Sequence, residues 1–221
     1  MNGDFPDTEE WQPNQLLAYE KEVLGFYISG HPLTYYKVEL KEFSDHSTKG
    51  LRQLVEGQEV KIVGIINAVK LTTTRKTNER MAIVTLEDAD GSVEVVIFPS
   101  TYPNVAANLI EGAVVIVVGR LSIREDQPTI VAGDIKKIEE AYKTVKAINV
   151  DLSGTSEICL DKLRSKLALY PGKTPVYLRL DTQSYKSVQI LVGEDLFVTP
   201  SEILMNEIKA LVGEDKFSMS V

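Results

Sequence analysis

The feature that most constrains the fold of this chain is a series of five segments rich in valine and isoleucine. Side chains of this kind are favoured in strands, and turn residues separate the segments. Asp88-Ala89-Asp90-Gly91, between the second and third segments, predicts a tight hairpin turn. A short helix is predicted at 102–110, between the third and fourth segments. The five predicted strands are 60–71, 81–86, 93–98, 114–121 and 129–138.

Five strands with one helix between the third and the fourth is the element order of the OB fold, a small and partly open barrel. Gly64 lies inside the first segment and Gly119 inside the fourth, and both mark positions where such a barrel must bend. We therefore predict a five-stranded OB barrel over residues 51–140.

The segments on either side of the barrel have different patterns. Residues 1–50 predict a helical lead-in, with one helix at 13–27 and a second at 34–43. Residues 141–221 predict a small C-terminal α/β domain that begins with a connector at 141–146. Its strands are expected at 147–152, 174–180, 187–192 and 196–198, and its helices at 156–169 and 201–212. The predicted fold class is therefore mixed β and α/β.

The last predicted helix has clear boundary signals. Thr199-Pro200-Ser201-Glu202 predicts a capped start with the proline at the first helical position, and Gly213 ends the helix. Leu204, Ile208 and Leu211 recur at helical spacing and predict its buried stripe.

The tail after this helix alternates between apolar and polar residues, and its apolar members are Phe217, Met219 and Val221. A period of two is typical of a strand with one apolar face. That face could belong to an edge strand of the same domain, or it could bind a partner by strand addition or by docking Phe217 in a pocket. The sequence leaves both interpretations open.

The composition excludes several functional classes. No apolar run reaches the roughly 18 residues of a membrane helix, and the first residues are polar and acidic, so no membrane span or signal peptide is expected. Cys159 is the single cysteine among 221 residues, which precludes an internal disulfide and fits a cytoplasmic location. The net charge of −8 argues against avid binding of nucleic acid by the chain as a whole, so any DNA contact must come from a local patch.

Residue types that support catalysis are scarce. Asp88 and Asp90 are the closest pair of aspartates, but they lie in the predicted hairpin turn, where aspartate is favoured for its own hydrogen bonds. Two histidines and one cysteine cannot form a structural zinc site, and no phosphate-binding glycine loop is found. We expect no catalytic residue, no metal ion and no cofactor in this chain.

Binding of a single strand remains the candidate chemistry, because OB barrels bind single strands on strands 2 and 3 and through the loops between strands 1 and 2 and between strands 4 and 5. The first loop, 72–80, carries three cations together with hydroxyl groups that contact phosphates. The second loop, 122–128, carries one arginine. Each cation could equally be a solvated surface charge. The candidate DNA-binding residues are Arg75, Lys76 and Arg80 in the first loop, Arg124 in the second, and Lys70 and Arg120 beside them.

Aromatic residues that stack on bases are few in the predicted barrel. Phe98 and Tyr102 are the only aromatic residues between Gly57 and Glu140. Because sequence-tolerant binding of single strands normally uses stacked aromatics, we expect weak, electrostatic and salt-sensitive binding.

Three stretches resemble bacterial DNA polymerase III α subunits. Residues 20–33 (EKEVLGFYISGHPL) strongly resemble the helix that leads into the OB domain of that family, and the residues at 10–11 and 16–19 extend the match. Residues 81–99 are similar to the OB domain of these polymerases and also to the anticodon-binding OB domains of tRNA synthetases. Residues 171–177 and 198–201 look like the end domain that binds the τ subunit of the clamp loader in the family.

The resemblance implies a non-catalytic, C-terminal segment of a replicative polymerase, whose catalytic parts would lie upstream. The OB domain would contact single-stranded template DNA, and the end domain would dock τ. The expected partner-binding residues are Leu204, Ile208, Phe217, Met219 and Val221. Two alternatives remain: a tRNA-binding module, which explains the barrel but not residues 20–33, and a barrel that serves only as a protein-interaction scaffold.

Overall fold

A computed structural model describes residues 19–20, 23–24, 28, 30, 32–124, 127–154, 157–181 and 187–221. The predicted helix at 13–27 lies almost entirely outside this part of the chain. The second predicted helix, at 34–43, is confirmed with a different start. A 3₁₀ turn over Pro32–Tyr36 leads directly into helix α1, Lys37–Phe43.

Five long strands follow, and each predicted strand is present. They are β1 (Glu59–Thr73), β2 (Arg80–Glu87), β3 (Ser92–Ile97), β4 (Val114–Arg124) and β5 (Gln127–Lys137). They form a closed barrel in the order β1-β2-β3-β5-β4, in which the parallel pairing of β3 with β5 completes the closure. Helix α2, Tyr102–Val105, lies between β3 and β4 and is shorter than predicted. This order confirms the OB barrel.

The two glycines predicted at bends are both sites of close backbone approach. A Cβ atom on Gly119 would overlap the carbonyl oxygen of Val131, and the register of β4 against β5 shifts at this point. A Cβ atom on Gly64 would lie 2.7 Å from Cγ of Leu86. The bulge of β1 itself lies further along the strand, between Ile66 and Ala68. Gly119 therefore marks a bulge as predicted, whereas Gly64 serves close packing.

The predicted connector at 141–146 begins inside a helix. Helix α3, Ile138–Tyr142, follows β5 directly. Ile138 and Tyr142 are each only 1% exposed. Their burial explains why this segment is ordered rather than a free linker.

The C-terminal domain is a four-stranded sheet with helices packed on one face. Its elements are β6 (Ala147–Asp151), α4 (Glu157–Ala168), β7 (Pro171–Thr174), β8 (Val176–Leu180), β9 (Val188–Leu191), α5 (Glu202–Val212) and β10 (Phe217–Ser220). The sheet order is β10-β6-β8-β9, with β6 and β8 parallel and the other pairs antiparallel. The inward side chains of β6 and β8 share one core with apolar residues of α4 and α5.

Two details of this domain differ from the prediction. The expected strand at 196–198 is instead a 3₁₀ turn over Glu194–Leu196, and Val198 forms only isolated bridges to β7. The N-cap of α5 is Ser201, whose hydroxyl accepts a hydrogen bond from the backbone nitrogen of Leu204 at 3.3 Å. Pro200 therefore precedes the cap, because Ser201 has extended backbone angles and is not itself helical.

The barrel and the C-terminal domain share a hydrophobic core. One cluster of buried side chains fills the barrel interior. A second cluster joins the lead-in, the outer side of β1 and β4, helix α3 and the C-terminal domain. Its members include Leu33, Phe43, Val63, Ile65, Ile116, Tyr142, Ile148, Leu204 and Phe217. The three segments predicted from sequence are thus packed on one another, and residues 32–43 belong structurally with the C-terminal domain.

A buried polar network lies inside this second cluster. The Nζ atom of Lys209 lies 2.7 Å from both carboxylate oxygens of Glu39, and Tyr142 donates a hydrogen bond to the same carboxylate at 3.0 Å. Glu39 is 0% exposed and Lys209 is 6% exposed. Burial, followed by the charge of Glu39, raises the pKa of Tyr142 above its usual range. The network connects α1, α3 and α5.

Candidate nucleic-acid interface

The open side of the barrel is formed by β2, β3 and the start of β5. The opposite side, which carries Val63, Ile65 and Ile116, is covered by the lead-in and the C-terminal domain. Along β2, Ala82, Val84 and Leu86 point into the barrel core. The alternate residues of β2 therefore point outward. Because one side of the barrel is already covered, a long ligand can lie only on the other.

The strand register shows which outward residues are neighbours. One row across β1, β2, β3, β5 and β4 consists of Lys70, Ile83, Val96, Val131 and Arg120. The next row consists of Ala68, Thr85, Glu94, Thr129 and Ser122. The tips of the β1–β2 and β4–β5 hairpins thus lie at opposite ends of the surface that β2 and β3 form.

The β1–β2 hairpin is longer and its loop shorter than predicted. The loop spans 74–79 because β1 and β2 both extend into the predicted 72–80 segment. The backbone nitrogen of Thr74 donates to the carbonyl oxygen of Glu79 at 2.9 Å. The hydroxyl groups of Thr74 and Thr77 lie 2.6 Å apart, and that of Thr77 donates to the carboxylate of Glu79 at 2.5 Å. These hydrogen bonds hold the loop together, and the contact of its hydroxyl groups with phosphates stays a prediction.

The cations of this hairpin are free to meet a ligand. Arg75, Lys76 and Arg80 are all exposed. No ion pair involves them within the described part of the chain. Lys70 is also exposed and lies on the outward face of β1, opposite Ile83. Arg80 alternates in phase with Ala82 and Val84, so it does not share the outward face of Ile83. The structure therefore places four of the six predicted DNA-binding cations on the β1–β2 hairpin, with Lys70 on the outward face and Arg75 and Lys76 in the loop.

The other two predicted cations lie on β4, at the far end of the rows. Arg120 pairs with Glu59 at 3.4 Å, and both side chains are more than two thirds exposed. Arg124 is exposed at the end of β4, beside residues 125–126, which lie outside the described part. The six cations therefore form two groups on opposite sides of β2 and β3.

A turn before the barrel adds residues that the sequence did not indicate. A 3₁₀ turn over Gly50–Gln53 packs against the barrel, and its Leu51 is 0% exposed in the barrel core. Lys49 and Arg52 flank Leu51 and line a groove of about 940 Å³ beside β3 and the β4–β5 hairpin. The apolar Leu51 was the available sequence signal that this turn packs against a core. No local pattern shows which surface of the barrel the turn covers.

The carboxylate of Asp88 fixes this turn to the β2–β3 hairpin. It accepts hydrogen bonds from the backbone nitrogen and the hydroxyl of Thr48, at 2.7 Å and 2.6 Å. It also accepts from the backbone nitrogens of Asp90 and Gly91, at 2.8 Å and 3.0 Å. This agrees with the interpretation of Asp88 as a turn residue.

The residues predicted to bind a partner are mostly buried in their own domain. Phe217 and Met219 are 4% and 3% exposed, and β10 pairs with β6. Leu204 and Ile208 are 0% exposed on the inner face of α5. The edge-strand interpretation is therefore the one observed, because the sheet needs these side chains for its core. Val221, which is 41% exposed, is the member of this predicted set that stays on the surface.

Comparison with known proteins shows which proteins this chain is similar to. The family model described as an OB-fold nucleic acid binding domain matches residues 60–138. The DNA polymerase III subunit alpha of Saccharopolyspora erythraea is 33% identical over 95% of this chain, and that of Borreliella burgdorferi is 32% identical over 96%. The chain is a relative of the DNA polymerase III alpha subunits. It spans only 18–19% of the length of these two relatives.

The similarity to the alpha subunits extends beyond the barrel on both sides, in agreement with the core that the barrel shares with its flanking segments. Solved structures resemble a smaller part of the chain. The second single-stranded DNA-binding protein of Mycobacterium smegmatis has 21% identity and a TM-score of 0.31, covering 37% of this chain and 88% of that protein. The small single-stranded DNA-binding protein of Streptomyces coelicolor has 18% identity and a TM-score of 0.32, covering 38% and 95%. Similarity at this level concerns the fold alone.

The structure also bears on metal sites and membrane spans. In the described residues, no group of three or more His, Cys, Asp and Glu side chains is arranged to hold a metal ion. None of the helices described is long and apolar enough to cross a membrane.

Proposed function

We propose that this chain is the non-catalytic, C-terminal segment of a replicative DNA polymerase, and that it contacts single-stranded template DNA through the open side of its OB barrel. The observation that carries the proposal is the group of exposed cations, Lys70, Arg75, Lys76 and Arg80, beside β2 and β3. The rest of the polymerase chain would lie upstream, and a cytoplasmic location follows from this role.

The binding is expected to be weak and electrostatic. The outward rows of β2 and β3 hold no aromatic side chain, and Glu87 and Glu94 lie among them. Phe98 and Tyr102 are half-buried at the end of β3 and in α2. Without stacking platforms, phosphate contacts supply most of the affinity. Such binding becomes useful when the DNA is already held close by the polymerase to which the barrel is tethered.

A triple substitution tests the DNA contact. Arg75→Ala, Lys76→Ala and Arg80→Ala together should weaken binding of a labelled single strand. They should also reduce the salt slope by about 0.7 for each phosphate that the variant no longer neutralises. Fluorescence anisotropy at several salt concentrations measures both quantities.

A matched control is available in the same chain. Lys143→Ala, Lys146→Ala and Arg164→Ala remove the same charge from exposed positions away from the hairpin. An equal loss of affinity in both triple variants would show that net charge alone matters, and it would contradict a local contact.

We further propose that the C-terminal domain docks the τ subunit of the clamp loader at the free edge of β9. This strand has a neighbour on one side only in the described sheet. The backbone nitrogen of Val192 points inward to Val176 at 3.1 Å, so the backbone groups of Leu191 point to the open edge. Ile190 and Leu191 are 44% and 49% exposed. An exposed apolar edge of this kind favours addition of a partner strand.

A charged substitution at the edge tests this docking. Leu191→Glu should weaken binding of τ from the same source by at least tenfold, a reduction typical of a substitution at the centre of an interface. Leu169→Glu is the control, because Leu169 is 67% exposed in the turn that follows α4. Calorimetric titration measures both affinities. If Leu169→Glu weakens binding and Leu191→Glu does not, the docking surface lies elsewhere on the domain.

A further inference from the structure

A groove of about 940 Å³ lies beside β3, on the part of the open side that is far from the β1–β2 hairpin. Its floor includes Thr85, Glu94 and Thr129, which form one row across β2, β3 and β5. Lys49 and Arg52 of the 3₁₀ turn form one wall, and Gln127 and Pro128 of the β4–β5 hairpin form another. The groove therefore lies at the opposite end of the open side from the cations of the β1–β2 hairpin.

We propose that single-stranded nucleic acid continues across β2 and β3 into this groove and that Lys49 and Arg52 contact its phosphates. The inference rests on the proposed function of the open side, and it assigns a second anchoring site from residues outside the five strands. The row of Thr85, Glu94 and Thr129 lies next to the row that carries Lys70 and Ile83 beside the β1–β2 hairpin. The floor of the groove is therefore continuous with the surface beside that hairpin.

The two cations are held on a pre-organised support. A 3₁₀ helix has three residues per turn, so side chains three positions apart lie on the same side. Lys49 is the N-cap of the turn and Arg52 is in its body. Leu51 anchors the turn in the barrel core, and Thr48 is fixed by the carboxylate of Asp88. Little backbone order has to be gained when a ligand arrives, which lowers the cost of binding.

The chemistry of the lining favours a single strand over a bare anion. Lys49 and Arg52 are exposed and take part in no ion pair within the described residues. Asp90 and Glu94 balance their charge, so a free phosphate gains no net attraction. An unstacked strand offers phosphates to the cations and base amino groups, which carboxylates accept as hydrogen-bond donors. The volume is at the upper end of the roughly 300–1,000 Å³ range of ligand pockets, enough for splayed bases.

DNA strands of two lengths distinguish the two anchoring sites experimentally. OB barrels cover about 4–16 nucleotides, so mixed-sequence strands of about 6 and about 16 nucleotides reach one or both ends of the open side. Lys49→Ala with Arg52→Ala, in the full chain, should weaken binding of the longer strand by about threefold to tenfold. The salt slope for that strand should fall by about 1.4, because two phosphates are no longer neutralised. The affinity of the shorter strand should stay unchanged.

Controls keep the outcomes distinct. Lys143→Ala with Lys146→Ala removes the same charge elsewhere and should leave both affinities near the wild-type values. The thermal unfolding temperature of the Lys49/Arg52 variant should match that of the wild type, because both side chains are exposed. If this variant binds the longer strand like the wild type while the β1–β2 hairpin triple variant binds it weakly, the groove is not on the DNA path and the proposed function stands. If the unmodified chain binds neither strand at low salt, both proposals fail.

Discussion

At the scale of single residues, the buried pair of Glu39 and Lys209 is the feature that is hardest to predict from the sequence. The two residues are 170 positions apart, and a helical pattern gives no reason to bury a lysine. The predicted stripe of α5 was Leu204, Ile208 and Leu211. The buried stripe in the structure is Leu204, Met205, Ile208, Lys209 and Val212. The spacing predicted Leu204 and Ile208 correctly, whereas Leu211 is only partly buried. The buried lysine requires a partner that only the tertiary structure supplies.

Removing the lysine should be costly. Lys209→Ala leaves the carboxylate of Glu39 buried without its counter-ion, and loss of one partner of a buried pair typically costs about 3–5 kcal/mol. The partly exposed pair of Lys37 with Glu214, at 3.1 Å, is the control, and Lys37→Ala should cost at most about 1 kcal/mol. Urea unfolding measures both free energies. Equal, small losses would mean that the buried pair contributes no more than a surface pair.

At the scale of elements, the strands of the barrel were predictable because valine and isoleucine mark them densely, and each predicted strand lies within three residues of its observed bounds at both ends. Strand β7 was missed because Pro171, Gly172 and Lys173 are poor strand formers. It forms only because Val198 bridges to it, and a Cβ atom on Gly172 would overlap the carbonyl carbon of Val198. Close tertiary approach, which no local pattern encodes, thus determines this element.

The tail was predictable as a strand, but its role was not. Because Phe217 is buried in the shared core, Phe217→Ala should destabilise the C-terminal domain by about 3–5 kcal/mol, as for other buried phenylalanines. Val221→Ala should have little effect, since Val221 lies beyond the last strand and is exposed. Thermal unfolding of the two variants measures this. A Phe217→Ala variant with wild-type stability and weakened partner binding would instead support the partner-docking interpretation of the tail.

At the scale of the whole molecule, the shared core determines which surfaces remain available. The lead-in, α3 and the C-terminal domain cover β1 and β4 on one side of the barrel, so β2 and β3 are left for a ligand. The sequence predicted the three segments and the cations of the β1–β2 hairpin. It could not predict their arrangement, because residues such as Phe43, Tyr142 and Leu204 meet across more than fifty positions and leave no periodic signal. The groove beside Lys49 and Arg52 was missed for the same reason.

Competition binding tests whether the open side of the barrel binds single-stranded DNA. A labelled single strand bound to the intact chain is displaced by an unlabelled single strand of equal length or by a tRNA anticodon stem-loop, at matched nucleotide concentration and salt. We expect the single strand to displace the label at the lower concentration, because its unpaired backbone can extend along the whole open side, whereas the stem-loop offers only a short unpaired segment. More effective displacement by the tRNA stem-loop would instead identify the barrel as a tRNA-binding module.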